Sequence, residues 1–265
     1  MYATLFLVAA AVLMPIVYAV LGGFRATGQL AADPVALPDP WVFSNYLDIL
    51  RSATFWRQLG NSALIAGTAT VVVVVLSSLA ALVFARFAFR GREFLYAFFT
   101  LGLLFHISIA ILPLFVTLRQ LGLLNNFLGV ALPEAAFALP ITIVILRPFF
   151  RAIPPELEDA AAIDGAGRFR FLWSVVLPMS RPALTTVGVL AIVTSWNAFL
   201  LPLVVLSDPS GWTLPLGVTN FSTQYSTDTA RVLAFTTLSM VPALVFYIFA
   251  ERQIVGGFAS GAVKG

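Results

Sequence analysis

Cysteine is absent from this chain, and histidine occurs once, at His106. Without cysteine there are no disulfides, no zinc–thiolate sites and no thiol nucleophiles. A single histidine excludes a metal site built on several imidazoles, and no metal is expected. Charge is scarce too: 10% of the 265 residues are Asp, Glu, Lys or Arg, where a soluble domain carries about 25%. A surface so poor in charge cannot face water on every side. No Gly-x-x-x-x-Gly-Lys run is present to cradle a nucleotide's phosphates, so this chain alone is not expected to hydrolyse ATP or to bind a cofactor. Acids, bases and metal ligands form no cluster from which an enzyme's site would be built, and no catalytic residue is assigned.

What fills the chain instead is apolar. Hydrophobic residues make up 60% of it, in runs that reach the ~20 residues a helix needs to cross a bilayer. A run such as Val71–Leu76 does not alternate with polar residues, as a strand of a membrane β-barrel would. In lipid each backbone polar group must be satisfied within its own segment, so an all-α integral membrane protein follows. Six spans are expected, at roughly Ala3–Leu21, Ser62–Phe84, Phe94–Leu118, Leu132–Phe150, Ala183–Leu206 and Val232–Ala250. The opening run, Tyr2–Leu21, has no basic flank and is long enough to span, so it reads as a first transmembrane helix rather than a signal peptide. The fourth span holds Pro140 and ends near Arg147, features that kinking or burial against neighbours accommodates. No soluble domain and no internal repeat is visible, and residues 1–265 read as one membrane domain.

Basic residues orient the spans. Arg86, Arg90, Arg92, Arg147, Arg151, Arg168, Arg170, Arg181, Arg252 and Lys264 fall on one side; Arg25, Arg51, Arg57, Arg119 and Arg231 fall on the other. The richer side is expected in the cytoplasm, which places both termini there. The segment Gly22–Asn61, with Trp41, Phe43, Tyr46 and Trp56, then reads as an external loop with a helix lying at the interface. The net charge of +3 forms no basic stripe, so a nucleic-acid partner is not expected; the lipid bilayer is.

One polar segment stands out, Ile153–Pro182, with four acids and three arginines between apolar spans. Pro154-Pro155 cannot continue a helix but suits the first turn of one. Glu156, Glu158 and Asp159 follow, where negative charge complements a helix dipole, and then the helix-forming Ala160, Ala161 and Ala162. Gly165 breaks or bends the helix. Such a small acidic helix suits a cleft on a partner protein. On residues alone, a solvated connecting loop explains it equally well.

The spacing Asp159-Ala160-Ala161, three residues, Gly165, nine residues, Val175, one residue, Leu177-Pro178 resembles the EAA loop of ABC-importer permeases. Asp159 stands where that family usually has glutamate, and Val175 where it has isoleucine. The ending Gly261-Ala262-Val263-Lys264-Gly265 resembles the tail of maltose-type sugar permeases, with Glu251 in place of the common glutamine. Pro113-Leu114-Phe115, Leu121–Asn125, Ser195–Phe199 and Trp212–Pro215 are similar to further stretches of the same carbohydrate-type permeases. The resemblance implies a type I ABC-importer permease fold: six transmembrane helices, a cytoplasmic coupling loop at residues 152–181 and a cytoplasmic tail at 251–265. It implies that Glu156, Glu158, Asp159, Ala160, Ala161, Asp164, Gly165 and Ala166 meet the ATPase, and that Gly261, Lys264 and Gly265 reach the ATPase dimer. The implied partners are two ATPase subunits carrying ATP and Mg, a second related permease subunit and an extracytoplasmic solute-binding protein, all at a bacterial inner membrane. Read by itself, the same glycine-rich ending is a frayed terminus.

Substrate contacts are less visible. Asn197, inside an expected helix, is costly unless paired and faces a bundle interior, with Trp196 beside it as a flat face for a sugar ring. Interhelical packing explains the pair as well. His106 with Ser108 lines a pathway or serves packing. Trp212, Asn220 and Tyr225 lie on an outer loop suited to the solute-binding protein, or to a plain turn. The leading function is import of a sugar or oligosaccharide by alternating access. Within that class glycerol-3-phosphate is an alternative, although no arginine sits mid-span to pair with a phosphate. An ion-coupled secondary carrier is the alternative from another class; it would call for ionisable groups at mid-membrane, where only Asn197, His106 and prolines stand out.

Overall fold

The computed structural model describes residues 2–222 and 227–262. Among them the named elements are all helical, with one isolated antiparallel bridge between Ser222 and Thr227. The chain divides into two compact units, Met1–Ala63 with Leu206–Val245, and Leu64–Val205 with Phe246–Gly265.

The first unit opens with α1, Tyr2–Gly22, apolar on every face; Phe6 and Met14 are among its many exposed side chains, as suits a helix in lipid. Phe24 then packs on Trp41, Phe43 and Tyr46. The amide of buried Asn45 donates to the carbonyls of Gly23 and Arg25 at 3.0 and 2.9 Å, and the Tyr46 hydroxyl donates to Val20 at 2.8 Å. These bonds tie α2, Ser44–Arg51, to the end of α1. The next helix, α3, runs Ala53–Arg86 and starts well before the expected Ser62. Phe55, Gln58 and Ser62 are buried and recur at helical spacing, so one face of these turns is held although their polarity hides them from a hydropathy reading.

In the second unit, α4 (Arg92–Leu101) runs on through a tight turn to Leu104 and meets α5 (Ile107–Gln120) at 99°. The continuous third span expected over Phe94–Leu118 is therefore broken. His106 adopts an extended backbone, and its Nδ1 accepts the Ser108 N–H at 3.3 Å, capping α5. A side chain that satisfies a helix's first N–H groups favours a new start over continuation. The fourth span is α6, Phe127–Arg151, capped by Asn126, whose Oδ1 accepts from Leu128 at 2.9 Å. Helix α7 is Pro155–Ile163. A further helical stretch, Arg168–Met179, with a wide π turn over Leu172–Val176, meets α8 (Arg181–Trp196) at 84°. The expected fifth span, Ala183–Leu206, is likewise interrupted: α8 ends at Asn197, and α9, Leu200–Val205, starts afresh. Asn197 is thus a helix-end residue, not a mid-helix one. Its own Nδ2 donates to Val193 at 2.8 Å, and side chains of this kind favour caps over interiors.

Among the described residues four helices are long and apolar enough to cross a membrane, and the two bent pairs make up to six crossings if each pair counts as one. The last helix, α10, covers Thr229–Ala262. Gly261 lies in its last described turn. Lys264 and Gly265 lie outside the described residues.

The start of α6 is held tightly. A β-carbon on Gly129 would run into the Leu123 carbonyl oxygen and crowd Val205. Gly129→Ala is expected to cost about 1–3 kcal/mol by overpacking, read as a lower melting temperature of the detergent-purified protein. An unchanged melting temperature would show that the Leu121–Asn126 turn gives way freely.

Candidate functional site

The helix α7 begins where the sequence demands it. Pro154 is extended (φ −55°, ψ 136°), Pro155 takes the first helical position, and Glu156 and Glu158 sit in the first turn. Its end is a Schellman motif: Ala166 N–H reaches Ala161 O at 2.8 Å and Gly165 N–H reaches Ala162 O at 3.0 Å. Gly165 has φ +71°, a conformation that glycine alone takes without cost. Glu156, Asp159, Ala160, Asp164 and Gly165 are exposed, while Glu158, Ala161 and Ala166 are half-buried. Beside this acidic face the loop leaves apolar groups in the open: Ile163 is 87% exposed, Phe169 66% and Trp173 58%.

The opposite side of the loop is fastened to the spans. Ile153, Phe171, Leu172 and Val176 are buried together with Leu82, Leu146, Phe150 and Val187. Arg86, at the last turn of α3, donates to the Ile153 carbonyl at 2.7 Å. The same guanidinium lies 3.8 Å from the Glu158 carboxylate and 6.0 Å from the Phe171 ring centre. Arg168 stacks over Phe87 at 4.3 Å. One cation thus holds both limbs of the loop to one span. Nearby, Arg147 is nearly buried yet fully engaged: it donates to Phe84 O at 3.2 Å and to Glu93 at 2.6 Å, and lies 3.9 Å from the Tyr96 ring. That pairing is what makes an arginine tolerable at the end of α6.

A second feature lies between α5, α6 and α8. A cavity of about 460 Å³ is lined by His106 and Asn197, which the sequence had marked, and by Glu134, which it had not. Trp196 does not line it. Glu134 Oε2 accepts the Ser195 hydroxyl, and its Oε1 is buried without a hydrogen-bond partner. The expectation that only Asn197, His106 and prolines stand out at mid-membrane is therefore corrected. The signal was present, as a lone acid in an apolar run, but a search for paired carboxylates passes over it.

The outer-loop residues divide differently. Trp212 is half-buried, and its indole donates to Leu206 O at 2.9 Å. Its own carbonyl and that of Ser210 accept from Asn61 at 3.0 and 2.9 Å, so Trp212 helps hold the loop's shape. Asn220 is exposed on a short turn, and Tyr225 lies outside the described residues. Asp208 is held below the usual carboxylate range, first by the Ser210 N–H, then by the Ser210 hydroxyl and the charge of Arg57.

If Arg86 fastens the loop, Arg86→Ala releases it. Amide hydrogen exchange over residues 153–176 is expected to speed up about 10-fold, the loss of a hydrogen bond to a charged group, with Arg86→Lys in between. Unchanged protection in Arg86→Ala would place the anchor entirely in the buried apolar contacts.

Residues 73–253 match the family described as "Binding-protein-dependent transport system inner membrane component". The chain is 35% identical over 265 residues to the diacetylchitobiose uptake system permease protein NgcG of Streptomyces coelicolor, covering 99% of this chain and 88% of that one. It is 34% identical to the trehalose transport system permease protein SugB of Mycobacterium tuberculosis (96% and 93% covered). It is 33% identical to the trehalose/maltose transport system permease protein MalG of Thermococcus litoralis (89% and 88% covered). Among solved structures, the fold is similar to a chain of a bacterial ABC transporter involved in alginate import, with a TM-score of 0.81 at 24% identity over 95% of this chain and 94% of that one.

Proposed function

Because the chain belongs to the inner-membrane components of binding-protein-dependent transport systems, we propose that it forms part of the path of an uncharged sugar or oligosaccharide into the cell, driven by an ATPase on other chains. It is a permease subunit and not an enzyme, and it works with a solute-binding protein. The sugar assignment draws on the relatives' names, which specify diacetylchitobiose, trehalose and maltose for those proteins. Glu134 taken alone would have favoured an ion-coupled carrier; membership of the family decides against it.

The observation that carries the coupling mechanism is the two-sided construction of the loop around α7. Its outer side offers acids and unburied Ile163, Phe169 and Trp173, a surface that an ATPase subunit would cover. Its inner side is bonded through Arg86 and packed through Phe171, Leu172 and Val176 to the spans. Movement of the ATPase dimer on binding ATP would pull α7, and the spans would follow. Such a shift needs a difference in interaction between the inward- and outward-facing states, and the ATPase dimer supplies it. In this reading the coupling loop, the C-terminal turn with Gly261, and both termini are cytoplasmic. A second related permease completes the path, and ATP and Mg reside on the two ATPase subunits.

The test is co-expression with neighbouring transport subunits and reconstitution. An ATPase subunit is expected to co-elute with the chain. Gly165→Val, which forces a β-branched residue into a left-handed conformation at roughly 1–2 kcal/mol, is expected to cut ATP-driven uptake at least tenfold. Gly165→Asn, which tolerates that conformation, is expected to retain most of it. Equal uptake in both variants would remove the case for a fixed turn at the loop's tip, and a transport-competent chain without an ATPase would reject the whole reading.

A further inference from the structure

The transport cycle just described makes no use of Glu134. The residue stands on α6 about 11 Å from the helix's N-terminal end, at a rise of 1.5 Å per residue. One carboxylate oxygen is satisfied by Ser195, while the other is enclosed without a partner. An incompletely satisfied ionisable group inside a span is costly and marks a functional position. It borders a cavity of about 460 Å³, within the roughly 300–1,000 Å³ of small-molecule sites.

The lining has a definite chemistry. Phe105, Phe137 and Phe199 supply flat apolar faces, and His106, Asn197 and Glu134 supply polar groups. The bond from Ser108 N–H occupies His106 Nδ1, which leaves Nε2 as that ring's remaining polar atom. Asn197 uses its amide on Val193, which leaves its carbonyl oxygen as an acceptor. Glu134 is acceptor-only when ionised. Aromatic faces beside hydrogen-bond acceptors suit a glycosyl ring, whose C–H face packs on a phenyl and whose hydroxyls donate. No lysine or arginine lines the cavity, so nothing there would offset the negative charge of an anionic solute.

We propose that Glu134 contacts the solute: Oε2, which accepts from Ser195 with one lone pair, accepts a hydroxyl of an uncharged glycosyl unit in this cavity with the other, and the carboxylate bars anionic sugars; this rests on the sugar reading above. Ser195 acts through Glu134 as the positioning residue, turning the carboxylate by its hydrogen bond.

The experiment uses the complete transporter with its binding protein. Proteoliposomes are assayed for ATP-driven uptake of maltose, trehalose and diacetylchitobiose, and maltobionate serves as an anionic competitor in equilibrium binding to the detergent-solubilised complex. If the wild type carries none of the three sugars, the sugar reading fails and this assignment falls with it. If it carries one, Glu134→Gln is expected to raise the half-saturation concentration about 10-fold, the loss of a charge-assisted hydrogen bond. The variant is also expected to let maltobionate compete where the wild type does not. Ala138→Phe, which fills the cavity from the next turn of α6, is expected to abolish uptake while the subunits still co-elute. Wild-type kinetics and continued exclusion of maltobionate in Glu134→Gln would overturn the assignment. Full uptake by Ala138→Phe would overturn it as well, because the Glu134–Ser195 bond would then serve packing alone.

Discussion

Water is missing from the bilayer core, and most of this structure can be read as the response. Backbone groups have no solvent to fall back on, so they close into helices. Side chains that carry charge or hydrogen-bonding capacity must find partners within the protein. Arg147 does so with Glu93, Tyr96 and the Phe84 carbonyl. His106 spends a ring nitrogen on the first turn of α5, and Asn197 bonds back to its own helix. Glu134 meets the requirement only by half.

The same constraint explains where the chain leaves apolar groups in the open. On the spans, exposed leucines and phenylalanines face lipid and need no other account. On the loop around α7 they do. Ile163, Phe169 and Trp173 lie among acids and arginines, in a segment whose composition belongs in water. The ATPase subunit proposed above to cover this loop would reconcile the two. Arg86 matters here because it joins both limbs of the loop, through Ile153 and Glu158 on one side and Phe171 on the other, to one span, so a load on the loop has a route inward.

The bends at His106 and Ser180 also bear on function. The first breaks the apolar third span into two helices, and the second turns the chain from the α7 loop into α8, each at a steep angle. The cavity lies beside the first of them and beside the end of α8 at Asn197. A straight bundle would have closed that space with side chains. Irregular backbone at membrane depth is tolerated where protein or a cavity surrounds it, and here it opens room next to a carboxylate.

Composition and periodicity alone settled that the chain is helical and membrane-embedded, because charge content and run length are sums that need no contacts. Local chemistry settled the shape of α7 as well: paired prolines open it and Gly165 closes it, each acting within a few residues. The breaks in the third and fifth spans could not be read that way, since His106 and Asn197 sit in runs whose hydropathy is continuous on both sides. Neither could the early start of α3, whose polar turns are held by burial of Phe55 and by the Leu214 N–H that Ser62 accepts. Above all, tertiary structure decided which polar groups meet. Glu134 and Ser195 are far apart in the chain, as are Arg86 and Ile153, and distance along a sequence says nothing of a hydrogen bond made when helices pack side by side.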